Sequence, residues 1–188
     1  MLIASSRRRV TIVWSSVLLA GCGGGAAPPG APAAERGPVA QIVFGTDSPI
    51  APDVQNAIAT ALPVQVDSLD PGALVDVACG QSALIEVEMQ DLNQDEVPEV
   101  LIEVLGCFYG GTGVGVMLFI ADSTGAYQPN LGIPGRVVET RPAGRDGYPD
   151  LAIAGMGFCL GIWGWNGREY KHLRNEPTAP GGCEGIPG

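Results

Sequence analysis

Apolar and polar side chains alternate along residues 84–90, which is the most regular pattern in the chain. In an extended backbone, Ile85, Val87 and Met89 fall on one face and polar side chains on the other, which predicts a half-buried strand. More uniformly apolar segments predict more deeply buried strands over residues 100–106, 114–121, 151–154 and 160–165. The Asn166-Gly167 pair then predicts a two-residue hairpin turn into residues 168–171.

One helix is predicted after Pro52 and Asp53, which are favourable residues in a first helical turn. Pro63 ends the helix, because proline cannot continue its backbone hydrogen bonding. The predicted apolar face comprises Val54, Ala57, Ile58, Ala61 and Leu62. The 28 glycines and 16 prolines interrupt the chain at the spacing of strands. The predicted fold class is therefore mainly β, an antiparallel-sheet domain with one short N-terminal helix.

The N-terminal residues combine a basic segment with an apolar one. Arg7, Arg8 and Arg9 precede an apolar run over residues 10–20, which is shorter than the roughly 20 residues of a membrane span. This order is typical of a signal peptide. The run ends in Leu19-Ala20-Gly21-Cys22, which resembles the lipobox of bacterial lipoproteins. The resemblance implies cleavage before Cys22 and acylation of that cysteine with palmitate or related chains. An ordinary signal peptide with an incidental cysteine is the alternative.

The mature chain is predicted to divide into a tether and one domain. Residues 23–37 are rich in Gly, Ala and Pro and lack apolar periodicity, which is typical of a tether. Residues 38–188 have the size of a single domain. The predicted organisation is a lipoprotein signal peptide over 1–21, the lipidated cysteine and tether over 22–37, and one β-rich domain over 38–188. The expected location is the cell envelope, and the lipobox resemblance implies the outer membrane in a Gram-negative cell because Gly23 follows the cysteine.

The charge of the mature chain argues against one class of partner. After removal of residues 1–21, 7 of the 10 basic residues remain against 20 acidic ones, a net charge of −13. A domain this acidic is not expected to bind nucleic acid or anionic lipid headgroups by charge. The acidity favours either solubility or the binding of cations. Contact with a membrane is therefore expected through the lipid anchor.

Four cysteines remain when Cys22 carries lipid. Cys79, Cys107, Cys159 and Cys183 are an even number in an oxidising compartment, which predicts two disulfides with three possible connectivities. If residues 84–90 and 99–106 form a hairpin, residue 82 lies opposite residue 107. That register favours a Cys79–Cys107 bridge and leaves Cys159 for Cys183. Each bridge is expected to stabilise the domain by about 2–4 kcal/mol.

The chain contains a degenerate internal repeat. Residues 91–102 match residues 142–153 at an offset of 51, with Pro98-Glu99-Val100 aligned to Pro149-Asp150-Leu151. Both copies lead into an apolar strand, which indicates two copies of one β-unit. The pattern D-x-N-x-D-x-x-P-E resembles the FG-GAP and VCBS-type repeats of bacterial surface proteins and integrin-type propeller blades. The resemblance covers residues 84–173 and implies two propeller-blade-like units, too few for a closed propeller.

The first copy of the repeat contains the candidate metal site. Asp91, Asn93, Asp95, the Val97 carbonyl and Glu99 occupy alternate positions of a tight loop, and calcium prefers such oxygen ligands. This order matches the ligand order of the D-x-D-x-D-G loops in the resembled repeats. Glu96 departs from that pattern, because the sixth position normally contains glycine. The alternative is a turn whose Asp and Asn side chains cap their own backbone. No metal is expected in the second copy.

Aromatic residues near the C-terminus form a weaker candidate site. A two-residue turn at Asn166-Gly167 would place Trp165 opposite Arg168 and Trp163 opposite Tyr170. Trp163, Trp165 and Tyr170 are then either a sugar-stacking platform or cross-strand packing. A stacking platform requires exposed rings.

Three functions are compatible with these features. The first is a non-enzymatic lipoprotein of the cell envelope that binds a protein partner or has a structural role, with calcium as an optional ligand. The second is a carbohydrate- or peptidoglycan-binding module. The third is a carboxylate hydrolase, which requires two acidic groups roughly 5–9.5 Å apart in a cleft. His172 is the only histidine, and no nucleophile motif is present, so no catalytic residues are assigned.

Overall fold

A computed structural model describes residues 34–109, 112–155 and 157–186. The predicted signal peptide, Cys22 and residues 23–33 of the predicted tether lie outside the described residues. The described chain begins with two helices, α1 (Pro38–Phe44) and α2 (Pro52–Ala61). Ten strands follow: β1 (Val64–Val66), β2 (Leu74–Asp76), β3 (Ser82–Gln90), β4 (Glu99–Leu105), β5 (Val114–Ala121), β6 (Tyr127–Pro134), β7 (Arg136–Ala143), β8 (Pro149–Ala154), β9 (Cys159–Trp165) and β10 (Tyr170–Pro177).

The strands form two antiparallel sheets, which confirms the predicted mainly β fold. The first sheet has six strands in the order β1 to β6, and the second has four in the order β10-β9-β8-β7. Within each sheet, strands that are adjacent in the sequence are also adjacent in space, so both sheets are meanders. The four strands β3–β6 and the four strands β7–β10 correspond to the two copies of the sequence repeat. The first unit is extended by β1 and β2, which the sequence analysis did not predict.

The first sheet lies between two apolar layers. Val100, Ile102 and Val104 on β4 are fully buried in a core shared with α1, α2 and β1. The alternate residue Leu101 packs on the opposite face, in a second core formed with residues of the second sheet such as Leu151. The period of two in the strands therefore separates the two cores. Burial of each large aliphatic side chain contributes about 1.5–3 kcal/mol.

The meander order gives the domain two distinct ends. Hairpin loops 91–98 and 144–148, at equivalent places in the two units, lie at one end, and we name them the Asp91 turn and the Asp146 turn. Loops 122–126 and 166–169 lie at the same end. The segments that carry all four paired cysteines lie at the opposite end. They adjoin the ends of the strands that are farthest from the four loops just named.

The helix prediction was correct in position and partly wrong in its buried face. α2 spans Pro52–Ala61, but its buried residues include Gln55 and Ala59, whereas Ala57 and Ala61 are exposed. The polar Gln55 is accommodated because its Nε2 donates to the carbonyl of Ile50 at 2.6 Å. Helix α1 was not predicted. The structure thus has two N-terminal helices where one was expected.

The predicted two-residue hairpin turn was wrong. Strand register pairs Trp165 with Tyr170 and Trp163 with His172, so the loop between β9 and β10 contains four residues. The Asn166 side chain closes this loop, since its Oδ1 accepts the backbone N–H of Arg168 at 2.9 Å and of Glu169 at 3.0 Å. Arg168 therefore does not lie opposite Trp165.

Strands β6 and β7 escaped prediction because proline interrupts their apolar pattern. Both are edge strands of their sheets, as is β10. Proline cannot donate a backbone hydrogen bond and is tolerated at such edges. The prolines inside these three edge strands are Pro129, Pro134, Pro142 and Pro177.

Candidate functional site

The Asp91 turn is closed by its own side chains. Asp91 accepts two backbone N–H bonds, from Asp95 at 3.1 Å and from Glu96 at 2.9 Å. Asp95 accepts the N–H of Val97 at 2.8 Å, and its other oxygen accepts the amide of Asn93 at 2.8 Å. The Val97 side chain is exposed. These bonds satisfy backbone donors that have no strand partner, as the capped-turn alternative requires.

Glu96 adopts the backbone conformation that normally favours glycine. Its φ is +71°, and Gln94 two residues earlier has a φ of +64°. A left-handed conformation costs an ordinary residue roughly 1–2 kcal/mol. The bond from the Glu96 N–H to Asp91 helps to hold the turn in this form. The left-handed backbone conformation that glycine normally supplies at the sixth position is therefore present, although the residue there is Glu96.

The Glu99 side chain lies on the face of the first sheet that is turned toward the second sheet, where it links the two units. Its side chain is 3% exposed, its Oε2 accepts the N–H of Leu92 at 2.7 Å, and its Oε1 accepts the hydroxyl of Tyr148 at 3.0 Å. Burial raises the pKa of Glu99, and the two donated hydrogen bonds act in the opposite direction. Proximity to this carboxylate and desolvation raise the pKa of Tyr148. The Tyr148 hydroxyl therefore remains a hydrogen-bond donor at neutral pH.

The three carboxylates among the predicted calcium ligands, those of Asp91, Asp95 and Glu99, do not all lie within 4.8 Å of one another. Among the described residues, the one group of three or more acidic, histidine or cysteine side chains that meets this distance comprises Asp76, Cys79 and Cys107. Its two cysteines form a disulfide. Calcium takes about six to eight oxygens at roughly 2.3–2.6 Å. The geometry thus fits a capped turn better than a calcium loop, and calcium binding at Asp91, Asn93, Asp95, Val97 and Glu99 stays a prediction.

The two repeated turns contact each other. A Cβ added at Gly147 in the Asp146 turn would lie 2.9 Å from the carbonyl oxygen of Asn93 in the Asp91 turn. Leu92 packs in the core between the sheets, close to the position of Tyr148. The hydroxyl of Tyr127 donates to the carbonyl of Pro98 at 2.7 Å, which fixes the end of the Asp91 turn. The candidate metal loop is therefore also part of the interface between the two units.

The three aromatic residues of the predicted platform lie in different environments. Tyr170 is 2% exposed, and its hydroxyl donates to the carbonyl of Pro149 at 2.8 Å. Trp163 and Trp165 are half-buried, and Trp165 stacks on Tyr148 with ring centroids 4.4 Å apart. The buried Tyr170 ring matches the packing alternative and leaves no three-ring platform.

Trp165 nevertheless lines an open cleft at the loop end. The cleft encloses about 600 Å³, and its polar lining includes Asp122, Asn130, Arg168 and Glu169. The indole Nε1 of Trp165 is buried and has no hydrogen-bond partner among the described residues. Tyr148, which the sequence analysis did not select, contributes the second ring.

A second cleft, which the sequence analysis missed, lies between the two sheets beside β3. It encloses about 320 Å³ and combines carboxylates with an apolar floor. Its carboxylates are Glu88, Glu99, Glu103 and Glu139, and its floor includes Leu101, Leu118 and Leu151. We name it the Glu88 cleft. The sequence did contain a signal for this cleft. Polar residues occur at alternate positions near two predicted strands, at 86 and 88 and at 99 and 103.

An adjoining cleft, which shares Glu88, Leu101 and Glu103 with the Glu88 cleft, already contains a cation. The Arg136 guanidinium lies 2.6 Å from Glu103 and 3.3 Å from Glu86, two residues that face each other on β3 and β4. Burial raises the pKa of Glu103, and Arg136 acts against that shift. The charge of this carboxylate pair is thus partly compensated within the chain.

The four cysteines pair as the hairpin register favoured. Cys79 bonds to Cys107 and Cys159 to Cys183, with Cα atoms 6.4 Å and 4.9 Å apart. The first bridge lies beside Asp76, which is fully buried. Asp76 accepts the backbone N–H of Ala78 at 2.8 Å and of Phe108 at 2.6 Å, so it joins the same two segments as the disulfide.

Comparisons with known proteins do not add a function to this geometry. No family model, no curated protein and no solved structure matches the chain. Within the described residues, no helix has the length and apolar character needed to cross a bilayer.

Proposed function

We propose that the protein is a non-enzymatic, lipid-anchored module of the cell envelope that binds a partner or supports envelope structure. The observation that carries this proposal is the pairing of all four cysteines other than Cys22 in two disulfides. Such pairing is typical of compartments outside the cytoplasm. The lipobox-like sequence at Leu19–Cys22 supports the same compartment and supplies the anchor.

Lipidation of Cys22 is the direct test of this proposal. The full chain, expressed in a bacterial host with an alkyne fatty acid, should incorporate the label and fractionate with membranes. Cys22→Ser should abolish both properties. The matched control is the double variant Cys159→Ser and Cys183→Ser, which removes two cysteines and should keep the label. Labelling of the Cys22→Ser chain, or an unlabelled wild-type chain released from cells, would refute the anchor.

The function of the anchored domain is proposed as binding rather than catalysis. Its clearest carboxylate pair, Glu86 and Glu103, is bridged by Arg136, and both oxygens of Glu99 accept hydrogen bonds. These pairings are our reason to favour binding over the hydrolase alternative. Calcium is optional in the proposal, because the Asp91 turn is closed by side-chain bonds to its own backbone.

Carbohydrate or peptidoglycan binding is the second candidate, and the cleft beside Trp165 favours it. Two aromatic rings, amides and carboxylates line one open site. Flat rings and planar polar groups are a suitable combination for sugar hydroxyls. Trp163 lines a different, more apolar cleft, so only Trp165 of the predicted pair belongs to this site.

Single-tryptophan variants test the glycan candidate. The Trp163→Phe variant of the mature chain retains Trp165 as its sole tryptophan, and Trp165→Phe retains Trp163. Muropeptides or chitin oligosaccharides should change the fluorescence of the first variant and leave the second unchanged. Equal responses, or none at millimolar sugar, would refute binding at this cleft.

A further inference from the structure

The Glu88 cleft is open because the second sheet does not cover β3. On the face of β3 that points toward the second sheet, Leu84 is 67% exposed, and Glu86, Glu88 and Gln90 are also exposed. These side chains form an uncovered strip beside the edge strand β7. Same-face side chains along a strand recur at about 7 Å, the repeat of any extended peptide. An extended segment lying along the strip could therefore meet Glu86 and Glu88 with side chains two residues apart.

The Glu88 cleft and the adjoining cleft differ in charge compensation. In the adjoining cleft, Arg136 provides a guanidinium within 3.3 Å of Glu86 and Glu103. In the Glu88 cleft, Glu88 has no ion-pair partner among the described residues, and the exposed side chain of Glu139 is paired with Arg141 at 3.3 Å. Glu99 adds a buried carboxylate whose own oxygens are already hydrogen-bonded. The adjoining cleft thus shows how carboxylates on β3 and β4 bind a guanidinium, and Glu88 remains a carboxylate without an ion-pair partner among the described residues.

The floor of the cleft selects the kind of cation. Leu101 and Val137 line the floor with partly exposed apolar side chains, whereas Leu118 and Leu151 are already buried. Long basic side chains cover apolar surface with their methylene stems while their charged groups contact carboxylates. A hydrated metal ion would make no favourable contact with an apolar floor. An arginine side chain can contact the carboxylates with its guanidinium and the apolar floor with its stem.

We propose that the Glu88 cleft binds an arginine side chain presented by an extended, basic segment of a partner protein. This inference rests on the proposed function, since it identifies the partner chemistry of the binding module. Arg136 is the internal precedent, and the net charge of −13 favours association with a basic partner. The guanidinium bonds to Glu88 and Glu139, and the stem of the side chain covers Leu101.

The experiment uses the disulfide-bonded domain of residues 34–188 and a capped peptide of alternating arginine and valine. Isothermal titration at low and moderate salt gives the affinity, and an alternating glutamate–valine peptide is the sequence control. The test variant is Glu88→Gln with Glu139→Gln. The matched variant is Glu35→Gln with Glu184→Gln, which removes the same charge at exposed positions that do not line the cleft. A thermal melt checks that each variant is folded.

The proposal predicts that the test variant weakens binding of the arginine peptide roughly tenfold or more, the loss expected when charge-assisted bonds are removed. The matched variant should bind as the wild type does. An alternating lysine–valine peptide should bind more weakly, because lysine lacks the planar fork of arginine. Equal weakening in both double variants would show nonspecific charge attraction, and absence of binding to the wild type would also overturn the proposal. Neither result depends on lipidation of Cys22, so the anchor and the cleft are tested separately.

Discussion

The Asp91 turn and the Asp146 turn occupy equivalent places in the two units but close by different means. In the first, side-chain oxygens of Asp91 and Asp95 accept the backbone N–H groups. In the second, backbone atoms suffice, with Gly144 donating to the Tyr148 carbonyl at 2.8 Å and Tyr148 donating to the Arg145 carbonyl at 3.1 Å. A series of oxygen-bearing side chains in a turn is therefore as compatible with hydrogen bonds that close the turn as it is with a metal site.

The same comparison explains the position-six residue. Glu96 and Gly147 align at the offset of 51, and their φ values are +71° and +83°. Both turns require a left-handed residue there, and only the second contains the one that adopts it without strain. Contact between the turns adds a further constraint on Gly147, since a side chain at that position would approach Asn93.

The largest expected effect is at the bond that joins the two turns. Tyr148→Phe removes the hydroxyl that donates to the buried Glu99 and leaves a carboxylate oxygen without that donor. We expect a loss of about 2 kcal/mol in the free energy of unfolding, since bonds to charged groups contribute roughly 1.5–3 kcal/mol. Urea denaturation measures this loss. Tyr127→Phe, which removes a hydroxyl bond to the neutral carbonyl of Pro98, is the matched control and should lose less.

Asp91→Ala should separate the two ways of closing a turn. The variant removes acceptors for the N–H groups of Asp95 and Glu96, and we expect a loss of about 1–2 kcal/mol. Pro142→Ala changes the aligned position of the second unit, where no side-chain cap exists, and should change stability by less than about 0.5 kcal/mol. Similar losses in both variants by urea denaturation would contradict the comparison.

Glu96→Gly should make the first turn resemble the second. Relief of the left-handed strain is offset in part by the greater freedom of glycine in the unfolded chain, so we expect a gain of about 0.5 kcal/mol. The reciprocal change, Gly147→Ala, should destabilise the domain. Thermal melts of the two variants should therefore shift in opposite directions. A loss of stability in Glu96→Gly would mean that the Glu96 side chain makes a favourable contact.

The pH dependence of stability should report the buried Glu99. Its pKa is raised in the folded protein, so the folded state binds more protons than the unfolded state just above the ordinary value of 4.5. Stability contributed by this group is therefore greatest below 4.5 and declines as the pH rises through the folded pKa. Glu99→Gln should flatten part of that decline in melts recorded between about pH 4.5 and pH 7.5. An unchanged slope would mean that Glu99 does not cause it.

Calcium should have the smallest effect if the Asp91 turn is closed only by its own bonds. We expect melts of the domain in EDTA and in about 1 mM calcium to coincide. Binding with a Kd near 0.1 mM would instead raise the melting temperature by roughly 3–6 °C. A rise of that size that Asp95→Ala abolishes would establish a calcium site and favour the resembled repeat family.

The sequence predicted features that depend on local patterns. Alternation along residues 84–90 placed β3, and the hairpin register that follows from it predicted the Cys79–Cys107 bridge. The repeat at an offset of 51 predicted two equivalent units. The capped-turn alternative for Asp91 was also a local inference, because its partners lie within five residues.

Features that depend on the relative position of the units were not predictable from patterns. The Glu88 cleft needs β7 to lie beside β3 and β4, and Arg136 approaches Glu86 from 50 residues away. The predicted strand register at Trp165 was wrong because the Asn166 side chain accepts backbone hydrogen bonds that close a longer loop. Edge strands β6 and β7 contain prolines that obscured their apolar pattern.

Those edge prolines have a further consequence if the proposed lipid anchor holds the protein on a membrane. Anchored molecules diffuse in two dimensions, so their exposed strand edges meet far more often than they would in solution. An edge with a complete row of backbone donors can pair with the same edge of a neighbouring molecule and begin a growing sheet. Pro129, Pro134, Pro142 and Pro177 each lack a backbone donor and lie in strands at such edges. On an anchored protein we therefore expect these prolines to help neighbouring copies to remain separate at high surface density.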